Sequence, residues 1–201
     1  MAKEGLPFVL IPAVIAMLMA YLQLWILAAV FTVLAAFMAY FFRDPYRNVP
    51  TEPDIVVSAA DGKVTRITDD ENGKLVSVFL SPLDVHINRS PIAGTIEKAE
   101  HIPGRKGPAT DNAASLHNER NALTIKGEKI TVVCTQIAGL VARRIVCWNG
   151  VGDELERGER FGLIKFSSRT DILMPNNVEL AVKIGDRVVG GETVIARIKQ
   201  A

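Results

Sequence analysis

The chain has 201 residues, with 23 Lys and Arg against 22 Asp and Glu for a formal net charge of +1. That length holds one globular domain and an appendage, and so small a charge excludes the basic field that nucleic-acid binding requires. The two cysteines, Cys134 and Cys147, lack CxxC spacing, and no Gly-rich phosphate loop occurs, which removes a clustered thiolate metal site and the common nucleotide cofactors.

From Gly5 to Phe42 no side chain is charged, and Gln23 is the one strongly polar residue. As a single helix the run would be about 57 Å long, against a bilayer hydrocarbon core of about 30 Å. The stretch YLQLW offers a turn, because Tyr21 and Trp25 flank Gln23 as interfacial aromatics do. Tyr40, Phe41 and Phe42 mark the return to a surface. The expectation is a helical hairpin over residues 1–42 that crosses or dips into a membrane. Lys3 at one end and Arg43 and Arg47 at the other put both ends on the cytoplasmic face. A buried core hairpin is the competing reading, but the rest of the chain is too small to cover two helices that are apolar on every face.

Residues 43–54, RDPYRNVPTEPD, form a Pro-broken extended linker. Over 55–201 the pattern turns to β: IVVSAADGKVTRI, KLVSVFL, NALTIKG and KITVVC are short, β-branched and separated by Gly, Asp and Asn turns. QIAGLVARRI reads equally as helix or strand. Cys134 and Cys147 lie in apolar runs and read as buried structural thiols, with a disulfide between them left open.

An internal repeat relates GDELERGERFGLIKF (152–166) to GDRVVGGETVIARIK (185–199), and a related DGKV lies at 61–64. Each unit supplies a Gly-Asp turn, a second Gly and an apolar strand. The pattern resembles the half-units of barrel-sandwich hybrids, the fold of biotinyl and lipoyl carriers, so a mainly β, barrel-sandwich-hybrid-like domain is expected. Carrier spacing counted from Gly152 lands on Ser168, at what should be an exposed hairpin apex. No lysine stands there, and the carrier reading fails.

The segments RDPYR, VVSAADGKV, LSPLDVHINRSPIAG, NERNAL, QIAGLVARRIVCW and RGERFGLIKFSSRTDILMP, in this order from about Phe41 onward, resemble the short bacterial and archaeal form of phosphatidylserine decarboxylase, with archaetidylserine decarboxylase as the archaeal counterpart. The resemblance implies a membrane-bound pyruvoyl enzyme that acts on a serine phospholipid through a Schiff base. The pyruvoyl group would be covalent, formed from Ser168 by self-cleavage between Ser167 and Ser168 into chains 1–167 and 168–201. Such chemistry needs an electron sink, which a pyruvoyl group supplies from the chain itself.

By the same resemblance Asp61 and His86 match the Asp and the first His that serve maturation in longer members, whereas their second His is Arg89 here. His86 suits proton transfer near neutrality; a structural histidine is its plainer reading, and an ordinary Asp-Gly turn is that of Asp61. Arg89 and Arg120 offer guanidinium forks for the lipid phosphate, although either could be a structural ion-pair partner. Asn118 belongs to the NERN motif, His101 lies in a Pro/Gly loop that could line the headgroup pocket, and His117 is a weaker candidate. Family members are often dimers, so a homodimer is admitted. Residue 167 departs from the family pattern, which has Gly there, and the extra Cβ is expected to slow cleavage. The alternatives are a processing-deficient proenzyme and a non-enzymatic barrel-sandwich membrane adaptor.

Overall fold

The computed structural model describes residues 1–105, 107, 117–140, 144–166 and 168–199. It divides into two units, Met1–Tyr46 and Arg47–Ala201.

The first unit is a helical hairpin. After a 3-10 turn at Lys3–Gly5, α1 (Leu6–Tyr21) carries Pro7 in its first turn, where a missing N–H costs nothing. Gln23 takes φ 59°, and its N–H donates to Ala20 at 3.0 Å while that of Leu24 donates to Met19 at 2.8 Å, so the chain reverses within three residues. Helix α2 (Trp25–Phe41) then runs back along α1. The open end is closed by Ala2 N–H donating to the Phe42 carbonyl at 3.0 Å and by Phe8 stacked on Phe42 at 5.4 Å. The 19 residues Lys3–Tyr21 are long and apolar enough to cross a membrane, and α2 is shorter. Leu10, Ile11, Met17, Trp25, Ile26 and Val33 stay exposed, so the hairpin does not serve as a core.

The second unit is mainly β. Its strands are β1 (Ile55–Val57), β2 (Gly62–Asp70), β3 (Gly73–Leu80), β4 (Ile87–Arg89), β5 (Gly94–Ile102), β6 (Arg120–Lys126) and β7 (Thr131–Ala138). There follow β8 (Arg144–Cys147), β9 (Glu154–Leu155), β10 (Arg160–Lys165), β11 (Ser168–Met174), β12 (Val178–Leu180), β13 (Arg187–Val188) and β14 (Val194–Ile198). An eight-stranded sheet runs β13-β2-β3-β11-β7-β6-β5-β9, and two three-stranded sheets run β1-β14-β12 and β4-β10-β8. Alternate residues of the large sheet, among them Val76, Val78, Leu123, Ile125, Val132, Cys134 and Ile172, bury against Val56, Phe161, Val178 and Ile195 of the small ones. That layering is the barrel-sandwich-like fold. The linker from Arg47 on is strapped to it by Arg157 to the Pro50 carbonyl at 2.6 Å, Arg197 to Glu52 at 2.8 Å and Lys129 to Asp54 at 2.7 Å.

The strand order is a palindrome with a physical cause. In one half, Gly152 N–H donates to the Ile96 carbonyl at 2.9 Å and Ile96 N–H to Asp153 at 2.9 Å; in the other, Gly185 donates to Val64 at 2.8 Å and Val64 to Asp186 at 2.9 Å. Gly158 and Gly191, with φ of 79° and 81°, donate at 2.8 Å to the carbonyls of Ser90 and Ser58. The repeated Gly-Asp units are therefore structurally equivalent turns, each pairing its short strand, β9 or β13, with β5 or β2. One half consists of β1–β3 with β11–β14 and the other of β4–β10.

Three expectations change. DGKV is not a third Gly-Asp turn, because Gly62 opens β2 opposite Val188 and its counterpart is Gly94 opposite Leu155. QIAGLVARRI resolves as the end of β7 and the start of β8, with residues 141–143 outside the described residues, because sheet partners on both sides fix what periodicity left open. Ser168 is fully buried rather than at an exposed apex, since β10 and β11 belong to different sheets and do not form a hairpin. Cys134 and Cys147 are free thiols, the first buried and the second half-buried.

Candidate functional site

The chain leaves one half after Leu80 and re-enters it at Ser168. The flanking residues are paired: Ile164 N–H donates to the His86 carbonyl at 3.2 Å, while Ser168 pairs with Leu80 of β3 and Ala138 of β7. The sequence thus brings Ser168 and His86 to the same junction from opposite directions.

Ser168 is the first residue of β11, and its buried Oγ has no hydrogen-bond partner among the described residues. Buried hydroxyls are normally paired, and Ser77 Oγ of β3 shares this state. Two residues earlier Phe166 adopts φ 67°, a left-handed conformation that costs a bulky side chain free energy. Ser167, the residue between them, lies outside the described residues.

His86 is buried, with Nδ1 2.9 Å from the Asp84 carbonyl oxygen. A carbonyl can only accept, so this bond places the ring proton on Nδ1 and makes Nε2 the lone-pair nitrogen of the neutral ring. The loop is itself fixed: the Asp84 carboxylate accepts from Ser81 N–H at 2.8 Å and Oγ at 2.7 Å and from Arg187 at 2.5 Å.

Asp61 immediately precedes β2, whose Lys63 pairs with Phe79 of β3, itself paired with Arg169 of β11. The two Asp61 carboxylate oxygens share one nitrogen of Arg47, Nη2, at 2.8 and 2.9 Å, and Oδ1 also accepts from Gly190 N–H at 2.8 Å. Arg89 belongs to the same neighbourhood: it is buried, donates to the Gly158 carbonyl at 2.9 Å and packs beside Gly191.

On the other side of Ser168, Asn118 uses its whole side-chain amide on backbone. Its Nδ2 donates to Ala138 at 2.8 Å and to Gly107 at 2.9 Å, and its Oδ1 accepts from Gly107 N–H at 3.1 Å. Asn118 thereby fixes the end of β7 against which Ser168 pairs. Arg120, half-buried at the start of β6, makes a long 3.4 Å contact to the Asn118 carbonyl. His101 is exposed, 3.7 Å from Glu119, and His117 is exposed.

A buried polar chain that composition did not disclose ties the junction together. Asn88 of β4 donates to Thr170 Oγ1 at 2.8 Å and accepts from Gln136 at 2.9 Å, and Gln136 accepts from Asn121 at 3.1 Å. Thr170 stands two residues from Ser168 on the same face of β11. On its opposite face Arg169 and Asp171 form a buried ion pair, Nε to Oδ1 at 2.9 Å. The available signal was the alternation in SRTDI and HINRS, which sets polar residues where buried strands carry apolar ones. Burial, with a smaller contribution from the Asp171 charge, pushes the Cys134 thiol well up, and burial pushes Cys147 up too. Neither is a thiolate nucleophile near neutral pH.

Residues 34–196 match the family profile for phosphatidylserine decarboxylase. The chain is 46% identical over 209 residues to a phosphatidylserine decarboxylase proenzyme of Symbiobacterium thermophilum, covering 99% of this chain and 96% of the relative. It is 44% identical over 203 residues to that of Geotalea uraniireducens, covering 96% and 94%, and 39% identical over 207 residues to that of Desulfotalea psychrophila, covering 98% and 96%.

Proposed function

The chain belongs to the phosphatidylserine decarboxylase family, and we propose that it is a proenzyme that cleaves itself between Ser167 and Ser168 before it acts. It is a carboxy-lyase that converts phosphatidylserine to phosphatidylethanolamine and CO2. The observation that carries the maturation reading is the buried, unpartnered Ser168 Oγ two residues after a left-handed Phe166. Such a hydroxyl fits a residue that is to be consumed.

In that reaction Ser168 Oγ loses its proton and attacks the carbonyl carbon of residue 167, the C–N bond breaks, and the amide becomes an ester. Elimination then releases residues 1–167 with a carboxylate terminus and leaves dehydroalanine at 168, which water converts to pyruvoyl with loss of ammonia. Nε2 of His86, the lone-pair nitrogen of a ring fixed by Asp84, is the base that takes the Ser168 proton. Asp61, bound to Arg47 and Gly190, acts indirectly by holding the linker against the Gly190–Gly191 turn beside Arg89.

The pyruvoyl group supplies the electron sink that accepts the pair left when CO2 departs. Around it, Asn118 holds the end of β7, and Arg120, Arg89 and His101 are the headgroup candidates, the arginines for the lipid phosphate. The hairpin of α1 and α2 tethers the chain to the cytoplasmic face of the cell membrane.

Denaturing gels and intact-mass measurements test this. Ser168→Ala should give one chain, and His86→Ala should slow cleavage by about 10²- to 10⁴-fold, the usual effect of losing a general acid–base. A new N-terminus at any residue but 168, or cleavage in Ser168→Ala, overturns the assignment. Ser167 in place of the family's glycine favours a second reading, a slowly processed proenzyme. In that case the unsubstituted chain stays single and Ser167→Gly yields two.

A further inference from the structure

The register of the large sheet gathers five strand ends at one edge. Ile102 pairs with Arg120, Arg120 with Ile137, and Ser168 with both Ala138 and Leu80. The loops leaving β3 and β7 there expose Leu83 and Leu140, at 62% and 63%. Buried Asp84, Val85 and His86 follow directly on Leu83, so its exposure belongs to a fixed loop. Cations surround the two leucines: Arg105 and Arg144 are exposed, Arg120 and Lys165 half-buried, and Arg144 is the register partner of Lys165. Among the described acids, Asp84 pairs with Arg187 and Glu119 lies 3.7 Å from His101.

The opposite edge of the same strands differs in kind. Its β2–β3 turn carries Asp69, Asp70 and Glu71, and no large hydrophobic side chain is exposed there among the described residues. Trp148, Val151 and Ile184, the other exposed apolar residues of the second unit, stand by the Gly152 and Gly185 turns. Among the described residues, two exposed leucines and two exposed arginines thus stand at the edge where Ser168 begins its strand.

We propose that this edge is a docking surface for an anionic lipid bilayer, with Leu83 and Leu140 entering the interface and Arg105 and Arg144 resting on the headgroups. The pairing of apolar tips with flanking cations is what an interfacial contact with anionic lipid requires. The proposal rests on the lipid-decarboxylase reading and deepens it. The hairpin keeps the chain at the membrane, and this edge orients Ser168 so that a headgroup reaches it without the lipid leaving the bilayer.

The test uses the full chain. Leu83→Gln/Leu140→Gln should lower turnover of phosphatidylserine in vesicles by about tenfold or more, as expected when interfacial insertion scales with apolar area. Turnover of a short-chain phosphatidylserine dispersed as monomers should not change, nor should self-cleavage. Undiminished vesicle turnover, or equal loss on both substrates, overturns the proposal. Hydrogen exchange gives a second readout that needs no turnover. Amides of residues 81–86 and 138–140 should exchange more slowly in phosphatidylglycerol than in phosphatidylcholine vesicles, and Arg105→Gln/Arg144→Gln should erase the difference. Slowing that instead follows protein concentration in detergent would assign the edge to a second copy of the chain. If the unsubstituted protein turns over neither substrate, the decarboxylase reading fails, and the exchange result still decides the docking surface.

Discussion

Phe166 is the residue whose conformation says most about the chemistry next to it. A Cβ at φ 67° crowds the following carbonyl, at a cost of about 1–2 kcal/mol. If part of that strain is released as the bond after residue 167 opens, Phe166→Gly removes it from the ground state and slows cleavage by up to about tenfold, the equivalent of 1.4 kcal/mol. Phe166→Asn, which tolerates the left-handed region, should fall between. A time course of cleavage followed by denaturing gel measures this, and a glycine variant that cleaves at the original rate ends the argument. Ser168 itself was legible, because SSRTD and the spacing from Gly152 both led to it. Its burial was not, since spacing along a chain does not say that the next strand joins another sheet. Asn88 and Gln136 were missed for a related reason. A polar residue in a strand reads as outward-facing until its neighbour across the sheet is known.

At the scale of elements, a hydrogen bond from Asn88 Nδ2 of β4 to Thr170 Oγ1 of β11 joins the strand after His86 to the strand of Ser168. Thr170→Val keeps the shape and removes the acceptor, leaving Asn88 Nδ2 only a 3.5 Å contact to the Ala59 carbonyl. A buried donor so deprived costs about 1–3 kcal/mol. The unfolding midpoint should fall, and cleavage should slow by more than the loss of stability accounts for, because His86 and Ser168 lose their common reference. Thr170→Ser restores the oxygen and should restore cleavage. If valine lowers the midpoint but cleavage keeps its rate in the folded fraction, the bond is structural only. Most strands could be read from β-branched runs between turn residues, and the Gly152 and Gly185 repeat was visible as sequence. What those units pair with was not, because Ile96 and Val64 lie more than fifty residues away along the chain and carry no matching letters.

Across the whole molecule, the two halves would let the proposed cleavage before Ser168 proceed without loss of the fold. β6 and β7 are joined by a short turn closed by Gly127 N–H on the Ile130 carbonyl at 2.9 Å. The equivalent pair in the other half, β3 and β11, has its turn opened, and β4–β10 is inserted between Leu80 and Ser168. The proposed cleavage before Ser168 would cut one of the two connections of that insert and need not displace a strand. The small chain then holds β11 between β3 and β7, β13 beside β2, and β14 between β1 and β12. Ile172, Met174, Val178 and Ile195 are buried in the common core, at about 1.5–3 kcal/mol each as an upper estimate, before any ladder hydrogen bond is counted. The two cleaved chains should accordingly co-elute on gel filtration in mild detergent at nanomolar to micromolar concentration and separate only in denaturant. Once separated they should regain activity slowly and in proportion to concentration, because closing the sheet has become a bimolecular step. Loss of the small chain during native dialysis would show that β11 is not the central strand described above.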